Sequence, residues 1–198
     1  AKFDDDMINA VIDGMIIGAI MPIITMTLAT SAFSNEVEDK TLQYLVLKPV
    51  SRLNIILSKL FATLLISIPL TIACGLSPTL LSGGSAKPLF VLTLGLLSGV
   101  IAYSAIFTWL GLITNQALGF ALVYVLIWEG ILSTFLSGIR YLSIRGYTLA
   151  ILNGMDDKGF EILESRVIEF PAAVVGTISV TLVFIILAYY RLRTMDVT

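Results

Sequence analysis

The sequence predicts an all-α, polytopic membrane protein with five membrane-spanning helices. Of its 198 residues, 57% are hydrophobic and only 13% are charged, and the mean hydropathy is +0.96. Soluble domains carry roughly 25% charged residues, because polar side chains cover most of their exterior. The shortage of charge therefore indicates that lipid surrounds this chain.

Five apolar stretches are long enough to cross a bilayer, which takes about 20 residues at about 1.5 Å of rise per residue. The charge-free stretch 88–128 has the length of two crossings, so we expect it to fold into a hairpin at Thr114-Asn115-Gln116. Proline at position 171 suits the first turn of the last span. We expect residues 1–198 to form a single transmembrane domain with spans at 14–33, 55–75, 89–113, 117–137 and 171–190.

Four polar segments, 1–13, 34–54, 76–87 and 138–170, then alternate between the two sides of the membrane. Lysines and arginines divide six against six between the sides, but those on the side of 34–54 cluster near helix ends. The positive-inside rule weighs these positions most heavily. We therefore expect a cytoplasmic C-terminus and an external Ala1, and an external start without a leader predicts a further transmembrane helix before Ala1.

The residue types present exclude several kinds of site. Histidine is absent and Cys74 is the single cysteine, which removes most ligand sets for zinc, haem, copper and iron–sulfur clusters. It also removes the Ser/His and His-rich groupings of intramembrane proteases. The sequence contains no G-x-x-x-x-G-K-[ST] phosphate loop. We expect no catalytic residue, cofactor or metal in this chain, and no nucleic-acid partner at a net charge of −2.

The segment 34–54 has the pattern of a short amphipathic surface helix between the first two spans. Ser34 or Asn35 is expected to cap its start, Pro49 to end it, and Ser51 to cap the next helix. Its apolar stripe comprises Thr41, Leu42, Leu45 and Val46. Two interpretations remain open: the helix lies on lipid headgroups, or it docks a cytoplasmic partner.

The run Glu36-Val37-Glu38-Asp39-Lys40-Thr41-Leu42-Gln43-Tyr44-Leu45, followed by Lys48-Pro49-Val50-Ser51-Arg52 and Lys59, resembles permeases of the type-2 ABC exporter superfamily. The stretch from Trp128-Glu129-Gly130 to Tyr147 is similar to the end of the fifth family helix and the external region after it. Lys40 stands where the family has glycine. The resemblance covers nearly the whole chain, and the family plan of six helices makes these five spans its second to sixth.

The resemblance implies the permease subunit of an ABC transporter, an exporter, in the inner (cytoplasmic) membrane of a prokaryotic cell. It implies a separate ABC ATPase carrying ATP and Mg²⁺, and a second permease, favouring a homodimer over a paralogue. It implies that 34–54 is the coupling segment pressed against that ATPase. The implied contact residues are Glu36, Glu38, Thr41, Leu42, Tyr44 and Leu45. Pro49, Ser51 and Arg52 would form a rigid joint to the second span.

Glu129 is an acid within the predicted fourth span, where charge is costly and often functional. It could line a substrate path or carry a proton, or it could hold helices together through hydrogen bonds. The apolar outer segment 138–170 predicts either re-entrant helices or a helical hairpin on the outer leaflet.

A different class of function also fits the composition. The chain could be a structural or anchoring subunit of a larger membrane complex, without transport activity. That alternative predicts no dependence on an ATPase and gives no purpose to the pattern at 34–54.

Overall fold

The computed structural model describes residues 5–39, 41, 50–81, 86–132, 142–156 and 168–194, which form helices joined by turns, with no strand among them. We number the helices in chain order. Helix α1 is a continuous helical stretch with a π-helical part: Asp5–Ala10, the π-helical Val11–Ile20, and Met21–Glu38. The others are α2 (Arg52–Leu81), α3 (Ala86–Ile113), α4 (Ala117–Val123, continued by the π-helical Tyr124–Leu132), α5 (Ile144–Met155) and α6 (Phe170–Thr194).

Four helices in the described part of the chain are long and apolar enough to cross a membrane: Met7–Glu38, Arg52–Leu81, Ala86–Ile113 and Phe170–Thr194. A shorter apolar helix, Ala117–Gly130, begins at the predicted start of the remaining span. Residues 133–137 of that span lie outside the described residues. The predicted all-α polytopic fold class is confirmed, while the six-helix plan stays a prediction.

Local sequence signals place several helix ends correctly. Helix α3 ends at Ile113 and α4 begins at Ala117, so Thr114-Asn115-Gln116 forms the predicted turn. The backbone N–H of Asn54 donates to Ser51 Oγ at 3.3 Å, which is the predicted cap of α2. Pro171 lies in the first turn of α6. These ends depend on turn and cap residues, whose effect is local and therefore visible in sequence.

The predicted start of a separate helix at Ser34 or Asn35 is wrong. Helix α1 runs on through both residues and ends at Glu38. The physical reason is a charge contact from α2, because Lys59 Nζ lies 2.5 Å from Glu36 Oε1 and also donates to the Ala32 carbonyl oxygen. A cation beside the C-terminal turns of a helix stabilises it, so α1 extends beyond its apolar stretch.

Helix α3 forms the centre of the bundle and packs against α1, α2, α5 and α6. In its most apolar 18-residue window 61% of the residues are buried, against 11% in α6, so α6 lies at the periphery of the described bundle. Gly111 permits the closest approach between α3 and α1. A Cβ added there would lie 2.5 Å from the Thr30 carbonyl oxygen, so only glycine fits without moving a backbone.

The two ends of the bundle are defined by different contacts. At one end, which we call the base, the helix ends that flank 34–54 meet the ends of α3 and α6 in a buried cluster. Its members are Phe33, Ile55, Ile56, Leu112, Ala188 and Leu192. At the opposite end, which we call the top, α5 packs against α3 and α6. The base therefore gathers the flanks of 34–54 and the C-terminal helix on one side.

We expect Gly111→Ala to lower the stability of the folded protein by about 1–3 kcal/mol, because its methyl group would force α1 and α3 apart. Gly119→Ala in α4 is the matched control, since a Cβ there meets nothing within 4 Å. The measurement is the melting temperature in detergent, read by size-exclusion chromatography with fluorescence detection. Equal melting temperatures for the two variants would contradict the close α1–α3 contact.

Candidate functional site

Lys59 ties α2 to α1 at the base. Its ammonium group pairs with Glu36, donates to the Ala32 carbonyl oxygen, and lies 4.8 Å from the centre of the Phe33 ring. The Lys59 and Glu36 side chains are only 23% and 27% exposed. A partly buried ion pair with further hydrogen bonds fixes geometry better than a solvated one. The two helices that flank 34–54 are thus fastened to each other where they leave the bundle.

Arg52 makes the second tie at the base. It is the first residue of α2, and its Nη1 donates to the Leu192 carbonyl oxygen at 2.8 Å. Leu192 lies in the last turn of α6, where carbonyl groups lack partners within the helix and carry the negative end of the helix dipole. Arg52 therefore joins the start of α2 to the end of α6.

The residues that the sequence predicts to contact the ATPase or to join 34–54 to the second span fall into two groups, paired and exposed. Glu36 and Arg52 face other helices of this chain, whereas Glu38, Thr41 and Ser51 are exposed at the base. Leu42, Tyr44, Leu45 and Pro49 lie outside the described residues. The described residues therefore offer Glu38 and Thr41 as exposed surface, and Glu36 and Arg52 as internal ties.

At the top, α5 packs into the bundle against α3 and α6. Three of its side chains pack directly on glycines of neighbouring helices: Leu152 on Gly95, Thr148 on Gly99 and Tyr147 on Gly176. A Cβ atom added to any of these glycines would lie only 2.5–2.6 Å from the side chain of α5. At its C-terminal end the buried Asp156 binds Lys87 at 2.9 Å. The 12 residues of α5 span about 18 Å, more than half of a hydrocarbon core of about 30 Å. The structure thus places α5 among the other helices, as the re-entrant interpretation expects, while residues 138–141 and 157–167 of the predicted outer segment lie outside the described residues.

Glu129 holds the deep, N-terminal end of α5. Its carboxyl oxygens accept hydrogen bonds from Ser143 Oγ at 2.5 Å and from the backbone N–H of Ile144 at 2.9 Å, with a longer contact to the N–H of Arg145 at 3.4 Å. Glu129 is 2% exposed. Backbone N–H groups in the first turn of a helix have no partner within it, and the helix dipole favours an acid there. These contacts favour the helix-holding interpretation of Glu129 over a substrate-lining one.

Aromatic rings surround this capped end. Tyr103 stacks on Phe107 with ring centres 5.6 Å apart, Phe107 meets Tyr124 edge-on at 6.2 Å, and Tyr124 stacks on Trp128 at 6.3 Å. The fully buried Tyr103 is also close enough to interact with the Glu129 carboxyl. The rings pack α3 against α4, so the position of Glu129 is fixed by bulky neighbours on both helices.

A second carboxylate fastens α5 to α1. Arg145 Nε and Nη2 both donate to Asp13 Oδ1, at 3.0 and 2.8 Å. The two side chains are 23% and 22% exposed, so most of their surface is removed from solvent. Asp13 and Glu129 both lie in π-helical stretches, Val11–Ile20 and Tyr124–Leu132. Two acids on two π-helical stretches therefore hold the N-terminal end of one inserted helix.

The family model for ABC-2 family transporter proteins matches residues 2–137, which is more than half of the chain. The chain belongs to this family. It is accordingly a transmembrane permease component of an ABC transporter, a class that is normally not catalytic itself. Comparisons with curated proteins and with solved structures gave no match.

The family match covers the segment at the base of the permease but not the helix α5 at its top. The whole of 34–54, including Glu36, Glu38 and Arg52, lies inside the matched range, whereas α5 and α6 follow it. The resemblance to ABC permeases deduced from the coupling pattern is thereby confirmed. The contacts of α5 come from the structure of this chain alone.

Sequence reasoning missed the ion pairs of the permease, although a signal was present. Asp13 stands directly before a charge-free stretch, and Arg145 lies in an apolar run. Acids and bases at membrane depth pair with one another, because an isolated charge in lipid is costly. That rule predicts that such residues find partners, but spacing along the chain does not say which.

We expect Glu129→Ala to loosen α5, because the Ser143 hydroxyl and the Ile144 N–H would lose their acceptor at a cost of about 1–3 kcal/mol each. Glu129→Gln keeps one carbonyl oxygen and should lose less. The measurement is the rate at which a maleimide modifies Leu142→Cys, placed beside α5, in a Cys74→Ala background. The exposed Glu169→Ala provides the control. Equal rates in Glu129→Ala and Glu169→Ala would refute the holding role.

We also expect Lys59→Met to destabilise the permease, because it leaves the Glu36 carboxylate without its cation. The double variant Glu36→Gln/Lys59→Met should recover part of the lost melting temperature, since neither charge then remains. A full double-mutant cycle in detergent measures this coupling. Additive losses from the two single variants would contradict a tie between α1 and α2.

Proposed function

We propose that this chain is the membrane-spanning subunit of an ABC exporter, and that residues 34–54 dock a separate ATPase at the base. The observation that carries the proposal is the pair of ties made by Lys59 and Arg52. They fasten α1, α2 and α6 together at the point where 34–54 leaves and re-enters the bundle. A force on the segment would therefore act on three helices at once.

The proposal places the base in the cytoplasm. Arg52 and Lys59 lie there, and Arg191 and Arg193 occupy the last turn of α6. Positive charge near helix ends is typical of the cytoplasmic side. This orientation puts 34–54 and the C-terminus beside the ATPase, and α5 at the outer surface.

Transport by this proposal needs two further components that the chain does not supply. The ATPase subunit binds ATP and Mg²⁺, and closure of two ATPases drives the cycle. A second permease, most simply a second copy of this chain, completes a central pathway between two halves. The membrane is the inner membrane of a prokaryotic cell.

The alternative, a purely structural subunit of a larger membrane complex, has less support. Membership of an ABC-2 transporter family gives the chain a transport partner and gives the pattern at 34–54 a purpose. The structural alternative has no equivalent observation in its favour.

We expect Glu38→Lys to reduce co-purification of the ATPase with an affinity-tagged permease by about tenfold or more, because charge reversal in a contact costs several kcal/mol. Glu38 is the sharper test than Glu36 or Arg52, since it is exposed at the base while those two bind other helices. The measurement is ATPase recovered per permease and ATP hydrolysis by the purified complex.

Glu169→Lys is the control, because it makes the same charge change at an exposed position beside the start of α6, at the top. It should leave ATPase recovery unchanged. Full recovery with Glu38→Lys, or an equal loss with Glu169→Lys, would count against docking at the base.

A further inference from the structure

We propose that the ion pair between Asp13 and Arg145 transmits movement of the segment 34–54 to the re-entrant helix α5, and that helix α1 carries this movement from the base to Asp13. Asp13 and Arg145 act here as positioning residues rather than as contacts to the transported molecule. The proposal rests on the proposed function, because docking of an ATPase supplies the force.

Helix α1 carries an ion pair near each of its ends. Near the base, Glu36 pairs with Lys59 of α2, and towards the top Asp13 pairs with Arg145 of α5. Between these pairs the stretch Met7–Glu38 is helical without interruption. The helix is unbroken between the two pairs, so a tilt at its base end is carried along the axis towards Asp13.

The close contact between Gly111 and Thr30 supplies a pivot for that tilt. The backbone of α1 touches α3 there more closely than any side chain would permit. Glu36 lies roughly 9 Å along the axis from Thr30, and Asp13 lies roughly 20–25 Å away in the opposite direction. A small displacement at the base would therefore become a displacement about two to three times as large at Asp13.

Helix α5 is attached to two spans that can move relative to each other. Glu129 of α4 holds its first N–H groups, and Asp13 of α1 holds the Arg145 side chain one residue later. When α1 tilts while α4 stays, α5 must either follow α1 or lose one attachment. In either case the outer part of the bundle changes shape when the base is pushed.

Both attachments lie in π-helical stretches, which supply a way for the change to occur. A π-helical turn holds an extra residue relative to the α-helix, and such turns are frequent at functional sites. Local conversion to α-helix would rotate Asp13 or Glu129 about its helix axis without unfolding the span. The carboxylates could then release α5 and bind it again.

The remaining ion pair of α5 provides a matched control. Lys87 of α3 binds Asp156 at the opposite end of α5, and its side chain is 68% exposed. This pair has the same charges and holds the same helix, but it joins α5 to α3 rather than to α1. Removing it should leave transmission from the base intact.

The experiment measures distances between spin labels in the full-length permease–ATPase complex, reconstituted in vesicles of phosphatidylcholine and phosphatidylglycerol. Cys74→Ala removes the native thiol. Labels at the exposed positions Asn35 and Asn115 report the base. A label at the exposed Leu81, at the top end of α2, paired with one at the exposed Leu142, beside the N-terminal end of α5, reports α5, and we call this the top pair. Each pair is measured without nucleotide and with Mg²⁺ and adenylyl imidodiphosphate.

In the otherwise native protein both distances should change, the top by about two to three times as much as the base. Asp13→Asn and Arg145→Gln should abolish the change at the top and keep the change at the base. The exchanged variant Asp13→Arg/Arg145→Asp should restore it, and Lys87→Gln should leave both changes intact. Restoration by exchange separates a specific link from general damage to the fold.

Other outcomes overturn the proposal in distinguishable ways. If nucleotide changes neither distance in the native chain, docking at the base is refuted. Transmission from 34–54 to α5 is then refuted as well, because it depends on that docking. If the base moves but the top does not, or if the top still moves in Asp13→Asn and Arg145→Gln, only the transmission is refuted. Loss of movement at the top in Lys87→Gln would also refute it, because α5 would then respond to any lost contact.

Discussion

The need to satisfy charge away from water governs this structure. An unpaired ion or backbone polar group inside a bilayer costs several kcal/mol, so each charged side chain that enters the bundle must meet a partner. Lys59 meets Glu36, Arg145 meets Asp13, and Glu129 meets the open N–H groups of α5. Each of these contacts joins two different helices. The cost of charge in the bilayer keeps charged residues rare. The few that are present must pair, and their pairs therefore determine which helices are held together.

Apolar packing then sets how closely those helices approach. Helices in lipid gain little from burying apolar surface, because lipid tails are equally apolar, and small residues allow close van der Waals contact instead. Helix α3 supplies Gly95, Gly99 and Gly111 on faces that receive α5 and α1. The charged contacts select the partners, and the glycines permit the short distances at which those contacts form. The bundle depends on both kinds of residue at the same interfaces.

The fold class and several helix ends were accessible from sequence, because hydropathy and turn residues act locally. The hairpin at Thr114-Asn115-Gln116 and the cap at Ser51 needed no knowledge of neighbours. The extension of α1 through Ser34 was not accessible, since it depends on Lys59 arriving from another helix. For the candidate site, the exposed position of Glu38 agrees with a surface role, whereas Glu36 and Arg52 turned out to contact this chain itself. Pairing between distant residues leaves no periodic trace in one sequence, and that is why the ties at the base and the top emerged only from the structure.

The ties also separate two tasks that the coupling pattern alone would merge. Glu36 and Arg52 fasten the ends of α1, α2 and α6, and Glu38 beside them remains exposed. A docking surface that simply adhered to a partner would not need its flanking helices fastened to one another. A surface that transmits force does, because a partner pushing on an unfastened segment would bend it and leave the spans at rest. The placement of paired charges next to an exposed acid therefore supports the proposal that 34–54 transmits force from a docked ATPase rather than only attaching it.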